Sequence, residues 1–373
     1  MKGFFGISRF RSWAAIAVIS GLLLSLGSAS TRAFETDQYN LSPEPLGDIG
    51  DEVSTHVEQK MRTAIAKLNG EIERRERCLA ERTPGCRSVE ILTKQLAELR
   101  SEEALAEMVF RALGSGSITR SDLGDWLRSH AFAANNPRYK PSLDESIFRL
   151  NLTDYLSQSA TVRLWGVEFG IDKLEHFFQQ GWTYHEIAKR ARSRGRSEAE
   201  ANRAAIKWGR VSENTFYGLI VSGVYSNADL FANYAGMKFY AGLTRPIKIG
   251  SGTRAATLRL ENGLWAFDAA LLRENVLKPF ITDHLNEALN PSAFRLTLVR
   301  SVRREVRRHG CPDWRERFSD FTRESIEKQT NSLKTWDGED YGHTQRSRIV
   351  TLADTCFDKE KGDARVVTRT SPY

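Results

Sequence analysis

The chain has 373 residues, 40% of them apolar and 27% charged, which is enough for one large or two ordinary buried cores and excludes a disordered or fibrous protein. Four cysteines are too few for a fold held up mainly by disulfides. The formal charge of +7 points toward nucleic acid until the N-terminal segment is considered.

That segment opens with MKGFFGISRFRSW, carrying Lys2, Arg9 and Arg11, continues through the apolar AAIAVISGLLLSLG and ends in the small residues of GSASTRAF. This is the layout of a secretory signal, and its apolar run falls short of the ~20 residues that span a bilayer. Cleavage is expected after Ala29 or Ala33, so residues 1–33 read as a signal peptide and the mature protein as periplasmic or secreted, with no transmembrane span. Removal deletes Lys2, Arg9, Arg11 and Arg32 and no acid, leaving 50 basic against 47 acidic residues, or +3. The global case for a nucleic-acid partner then disappears. An oxidising compartment also favours pairing of the four cysteines. Of three connectivities, Cys78 with Cys86 is favoured because they flank ERTPG, whose Pro84-Gly85 breaks helix between two helical stretches. Cys311 with Cys356 follows by elimination.

Residues 51–82 and 88–112 predict two helices, since Val53, Met61, Ile65 and Leu68 recur at helical spacing and EIERRERCLAER sets Glu and Arg three and four apart. They form a helical hairpin in an N-terminal region, 34–134. GSGS at 114–117 is a break, Ser121 and Asp122 open a short helix through Trp126 and Leu127, and NNPRYKP at 135–141 is a loop and domain boundary. A core domain follows at 142–310. From Leu143 to Leu243 it is helix-rich and dense in aromatic rings, and FYGLIVSGVY at 216–225 reads as a buried helix. TLRLENGLWAF alternates around Asn262-Gly263, which predicts one small β-hairpin near 256–267. Helices are expected again at 277–289, 293–309 and 315–334, and 311–373 is a C-terminal extension. The fold class is mainly α, a helical bundle with an N-terminal helical hairpin and one small β-hairpin.

The aromatic stretches also carry ionisable groups at helical spacing. Asp172 and His176 sit four apart beside Lys173, Glu213 and Tyr217 repeat the interval, and so do Asp229 and Asn233. TDHLNEALNPS adds Asp283, His284, Glu287 and Asn290, of which His284 and Glu287 could supply further ligands but are expected on an exposed helix face. Burying such groups costs several kcal/mol unless they pair or bind something. One reading is a site in which Asp172, His176, Glu213 and Asp229 converge, with His176 as general base or metal ligand and a carboxylate orienting it. The other is a satisfied hydrogen-bond and ion-pair network, with Asp172 capping its helix. A divalent metal would suit the His and carboxylate set, although no paired motif such as H-E-x-x-H specifies one.

Asp172-Lys173-Leu174-Glu175-His176-Phe177 resembles the D-K-x-x-H-F motif of VanZ-like and YfiM-like bacterial envelope proteins, over these six residues. Those families are small and membrane-associated, and this chain lacks further transmembrane runs, so their fold is not carried over. TDQYNL, FFQQGW and SGVYSNADLFANYAGMKFY are similar to stretches of uncharacterised exported bacterial proteins. The resemblance implies an envelope location and a role for Asp172, Lys173 and His176, but no reaction.

Two basic runs remain. Arg300, Arg303, Arg304, Arg307 and Arg308 form a stripe on one helix, and KRARSRGR occupies 189–196. They read either as helix C-termini stopped by Gly195 and Gly310, or as contacts for an anionic lipid or cell-wall polymer, chiefly through Arg300, Arg304 and Arg307. Three functions follow: a binding or structural role at the envelope around the polar cluster, hydrolysis of lipid or wall material by His176 with Asp172 or Glu213 with or without a metal, or an envelope scaffold bound to anionic polymers through the Arg stripe.

Overall fold

The computed structural model describes residues 35–82, 85–117, 120–215, 217–250, 252–268 and 275–358, and the expected signal peptide lies outside them. Helix α1 (Gly50–Glu81) buries Val53, Val57, Met61, Ile65, Leu68 and Ile72, a stripe at intervals of three and four. The stripe packs on α2 (Val89–Leu99) and α3 (Glu102–Leu113), which contribute Leu92, Leu96, Leu105 and Val109. Helix α1 ends where Arg82 turns left-handed, φ 47°, and its N–H closes on the carbonyl of Cys78. The Cys78–Cys86 disulfide, Cα atoms 5.8 Å apart, then ties the end of α1 to the chain returning into α2. The single helix expected over 88–112 is broken, because the Ser101 hydroxyl accepts the Ala104 N–H at 3.1 Å and caps a new one. Helix α4 (Asp122–Ser129) starts at its Ser121 cap, as the sequence predicts.

The centre is a nearly continuous helical run. A hairpin of β3 (Thr161–Leu164) and β4 (Val167–Gly170) leads straight into α6 (Ile171–Glu175), after the short α5 (Leu152–Ser157). A wide π-turn, His176–Gln180, joins α6 to α7 (Gly181–Ser193). Helix α8 (Glu198–Asn214) begins with a reciprocal Ser197–Glu200 capping box. Helix α9 (Asn227–Ala241) is buried on every side, so its sequence shows no amphipathic stripe. It lies backbone to backbone against the π-turn: a Cβ on Gly236 would stand 1.9 Å from the Phe177 carbonyl oxygen.

Several expectations are corrected. The described residues hold five two-stranded antiparallel sheets rather than one hairpin: β1 (Gly116–Ser117) with β2 (Arg120–Ser121), β3 with β4, β5 (Val224–Tyr225) with β10 (Ala293–Phe294), β6 (Ile247–Ile249) with β7 (Gly252–Arg254), and β8 (Leu258–Glu261) with β9 (Leu264–Phe267). The last is the expected one, turning at Asn262 and Gly263 with φ 50° and 82°. The others run two to four residues, too short for alternation to register. Residues 217–223 form turns with Ile220 and Val221 exposed, so 216–225 is no buried helix. Over 277–289 only short 3₁₀ turns form, since the Asn286 side chain accepts the N–H groups of Ala288 and Leu289 and competes with helix.

Helix α10 (Leu296–Glu305) continues through a second π-turn, Val306–Gly310, into α11 (Cys311–Arg317), so Gly310 is not a helix stop. Its missing side chain admits the Tyr39 carbonyl, 2.2 Å from where a Cβ would be. The helix expected over 315–334 breaks before α12 (Arg323–Ser332), which Thr322 caps. Cys311 is bridged to Cys356, in α13 (Leu352–Cys356), with Cα atoms 5.0 Å apart. One hydrophobic cluster joins Val57 of α1 to Phe177, Tyr240 and Trp336, and thus crosses the 135–141 loop. A second gathers Tyr39, Trp314 and the Cys311–Cys356 bridge. The protein is helix-rich with small antiparallel sheets, and among the described residues no helix is long and apolar enough to cross a membrane.

Candidate functional site

The hairpin β3–β4 and the close seat of α9 bring the DKLEHF motif into the core. Lys173 is fully buried, and its ammonium lies 2.7 Å from Asp172 Oδ2, 2.6 Å from Asp229 Oδ1 and in contact with Glu287 Oε1. Asp172 also accepts the Thr36 hydroxyl at 2.6 Å and its N–H donates to Ser159 Oγ. It therefore does not cap its helix, whose N-cap Gly170 has no side chain. Ser226, the N-cap of α9, accepts the Asp229 N–H at 3.1 Å, donates its hydroxyl to Glu287 at 3.3 Å, and gives its own N–H to Glu213 Oε2. His176 stands at the edge, its side chain 16% exposed, with Nε2 3.3 Å from Asp229 Oδ2 and Nδ1 3.1 Å from Asn233 Oδ1.

The predicted residues Asp172, Lys173, His176, Asp229 and Asn233 are thus in direct contact, and Glu213 joins through Ser226. The carboxylate beside His176 is Asp229, not Asp172 or Glu213. Glu287 is a correction: expected on an exposed face with His284, it is 1% exposed and touches Lys173, while His284 is buried and hydrogen-bonds Thr282 and the Thr335 carbonyl. Asp283 and Asn290 lie outside this network, Asn290 bonding Tyr341 and the His284 carbonyl. The Tyr217 ring packs on Trp208. Arg300, Arg304 and Arg307 lie on the exposed face of α10 and the turn after it, Arg304 paired with Glu305.

Sequence spacing missed Glu35, Thr36 and Glu175. Glu35 is buried and takes the Ser222 hydroxyl at 2.7 Å, and among the described residues its other oxygen and Glu213 Oε1 have no hydrogen-bond partner. Glu175 holds Arg128 of α4 through two bonds of 2.9 and 3.1 Å. TDQYNL carries Thr36, but nothing in its spacing indicates that it meets a helix 136 positions away.

Five carboxylates share this interior with one ammonium, and they cannot all be ionised there. Burial, then the charges of Glu287 and Asp229, pushes Glu35 well above the usual carboxylate range. Burial and Asp229 do the same to Glu213. Burial raises Glu287 to about 8 against the pull of Lys173. Asp172 goes the other way: burial would raise it, but Lys173 and Thr36 together hold it below its ordinary value. Burial would likewise lower Lys173, yet Asp172, Asp229 and Glu287 keep it well above the ordinary lysine value.

Oxygens of Asp172, Asp229 and Glu287 lie within 4.8 Å of one another, a spacing that suits a metal ion. The Lys173 ammonium already meets all three, so a divalent ion would compete with a cation that the chain carries itself. Three clefts of about 400, 370 and 500 Å³ are lined by other residues. Compared with protein-family models, curated proteins and solved structures, the chain matches none of them.

Proposed function

We propose that the protein is exported through its N-terminal signal and serves a binding or structural role at the bacterial cell envelope, with the Lys173 network as the internal tie of its helical bundle. The observation that carries this reading is the full burial of Lys173 among Asp172, Asp229 and Glu287, which come from three separate segments. A buried charge met on all sides by partners has no capacity left for a substrate, and removing one partner strands the rest. The two disulfides agree with an oxidising compartment. The likeness of the DKLEHF motif to VanZ-like and YfiM-like proteins agrees with the envelope.

The test is thermal unfolding beside a hydrolysis assay on phospholipid and peptidoglycan. Asp172→Asn and Asp229→Asn should lower Tm by several degrees, and His176→Gln should leave Tm nearly unchanged with no hydrolysis to lose. One observation favours the rival hydrolase, the partly exposed His176–Asp229–Asn233 edge, where an imidazole beside a carboxylate has the form of a general base. Hydrolysis abolished by His176→Gln at unchanged Tm would establish that rival and refute the binding role. Fractionation of cells, with the mass of the mature N-terminus, tests export.

A further inference from the structure

The basic run at 189–196 meets the rest of the molecule in the cleft of about 370 Å³, formed by α7, the start of α8, the end of α9 and β6. Arg192, Lys238, Arg245 and Lys248 line it, against only two carboxylates, Glu198 and Glu339. Glu198 is shared, 3.3 Å from Arg192 and 3.9 Å from Arg245. Glu339 pairs with Lys238 at 2.6 Å, and among the described residues the Lys248 ammonium reaches the Asp337 carbonyl, at 3.1 Å. Positive charge is therefore in surplus by two, and two guanidinium groups converge on one place.

The cleft also holds two buried polar atoms with no hydrogen-bond partner among the described residues, His185 Nδ1 and Asn202 Oδ1. His185 is 9% exposed, and burial, with Arg192, Arg245 and Lys189 adding to it, pushes its imidazole down to about 3. The ring is neutral near pH 7 and retains one N–H to give, whereas the unpartnered Asn202 atom is an amide oxygen, which only accepts. Surplus charge of two, convergent guanidinium forks and an uncommitted imidazole nitrogen are the features that select a doubly charged oxyanion over a carboxylate.

We infer that this cleft binds the phosphate of a phosphomonoester, free or as a lipid headgroup, gripped by Arg192 and Arg245 with Lys248 and His185 completing the shell. The inference names a ligand class for the binding role proposed above and rests on that reading for its setting. The two fail separately, since the interior network is judged by stability and hydrolysis and this cleft by phosphate binding.

The test titrates inorganic phosphate into the mature chain by calorimetry at low salt. Saturable binding is expected, weakened about tenfold or more in Arg192→Gln and Arg245→Gln, because each removes charge-assisted hydrogen bonds. Arg190→Gln makes the same charge change on the same helix at a side chain 69% exposed, and should leave affinity within about twofold. Phosphate should also shift the His185 imidazole NMR resonances. Co-sedimentation with phosphatidylcholine vesicles containing phosphatidic acid, lost in Arg192→Gln, assigns the phosphate to lipid. Binding of glycerol phosphate without co-sedimentation assigns it to a soluble compound. Absence of saturable phosphate binding, or an Arg190→Gln loss as large as that of Arg192→Gln, overturns the site.

Discussion

The Lys173 network and the outer face of α1 use the same residue types in opposite settings. On α1, Arg62 pairs with Glu58 at 2.7 Å and Arg74 and Arg75 with Glu71, all with side chains partly or largely in water. Around Lys173 the partners are as close, but none is more than 2% exposed. Water makes each α1 pair nearly dispensable, whereas its absence makes every member of the interior network depend on the others. Charge counts therefore say little about what holds this protein together, and burial says a good deal.

The sharpest break of that contrast is Lys173→Met, which removes the only ammonium found among the buried acids in the described residues. A loss of about 5 kcal/mol or more is expected in chemical denaturation, the upper end for an orphaned buried charge. A variant that unfolds at the wild-type denaturant concentration would remove the distinction between the two regions. Next come the bridges. In the chain-entropy picture, opening Cys311–Cys356, 45 residues apart, costs roughly 4 kcal/mol, and Cys78–Cys86, eight apart, roughly 2.6. Paired Cys→Ala variants of each should unfold in that order. Gly236→Ala, which sets a Cβ against the Phe177 carbonyl, should cost about 3 kcal/mol by prying α9 from the π-turn beneath His176.

A pH series sharpens the contrast further. Glu35, Glu213 and Glu287 have folded values raised above their unfolded ones, so their contribution is complete below about pH 4.5 and is lost as pH rises through the folded values. For Glu287 that window runs from the ordinary 4.5 to about 8. Asp172, held low, contributes above its ordinary 3.8 and loses that as pH falls. His185 and His343, depressed to about 3 and 4, also lose stability as pH drops below 6.5. Wild-type Tm should decline on both sides of a mildly acidic optimum, and Glu213→Gln, which mimics the protonated acid, should flatten only the alkaline limb. The smallest effect is expected from Arg62→Ala on α1, within about 0.5 kcal/mol by the same denaturation assay.

Part of the network was legible because helices announce it. Asp172 with His176 and Asp229 with Asn233 lie four apart in aromatic-rich stretches, so each pair shares a buried face. The hairpin at Asn262-Gly263, the Ser121 cap and the Cys78–Cys86 pair were legible for equally local reasons, a turn dipeptide, a capping hydroxyl and a helix break between cysteines, whereas Cys311–Cys356 followed only by elimination. Glu287 escapes the pattern because its segment reads as a helix with a wet face. Asn286 and Asn290 instead bind their own backbone and turn it inward. Glu35 and Thr36 precede the first helix and carry no periodicity at all.

By itself the sequence determined where several helices start, that Cys78 and Cys86 can meet and which acids ride on buried helix faces, since each follows from interactions within a few residues. Only the tertiary structure decided that Lys173 is the common partner, that Asp229 rather than Asp172 stands beside His176, and that Arg192 and Arg245 share one cleft. Those groups are brought together by chain crossings over long separations, and the cost of leaving a charge unpaired away from water is set by what arrives beside it, which no local pattern records.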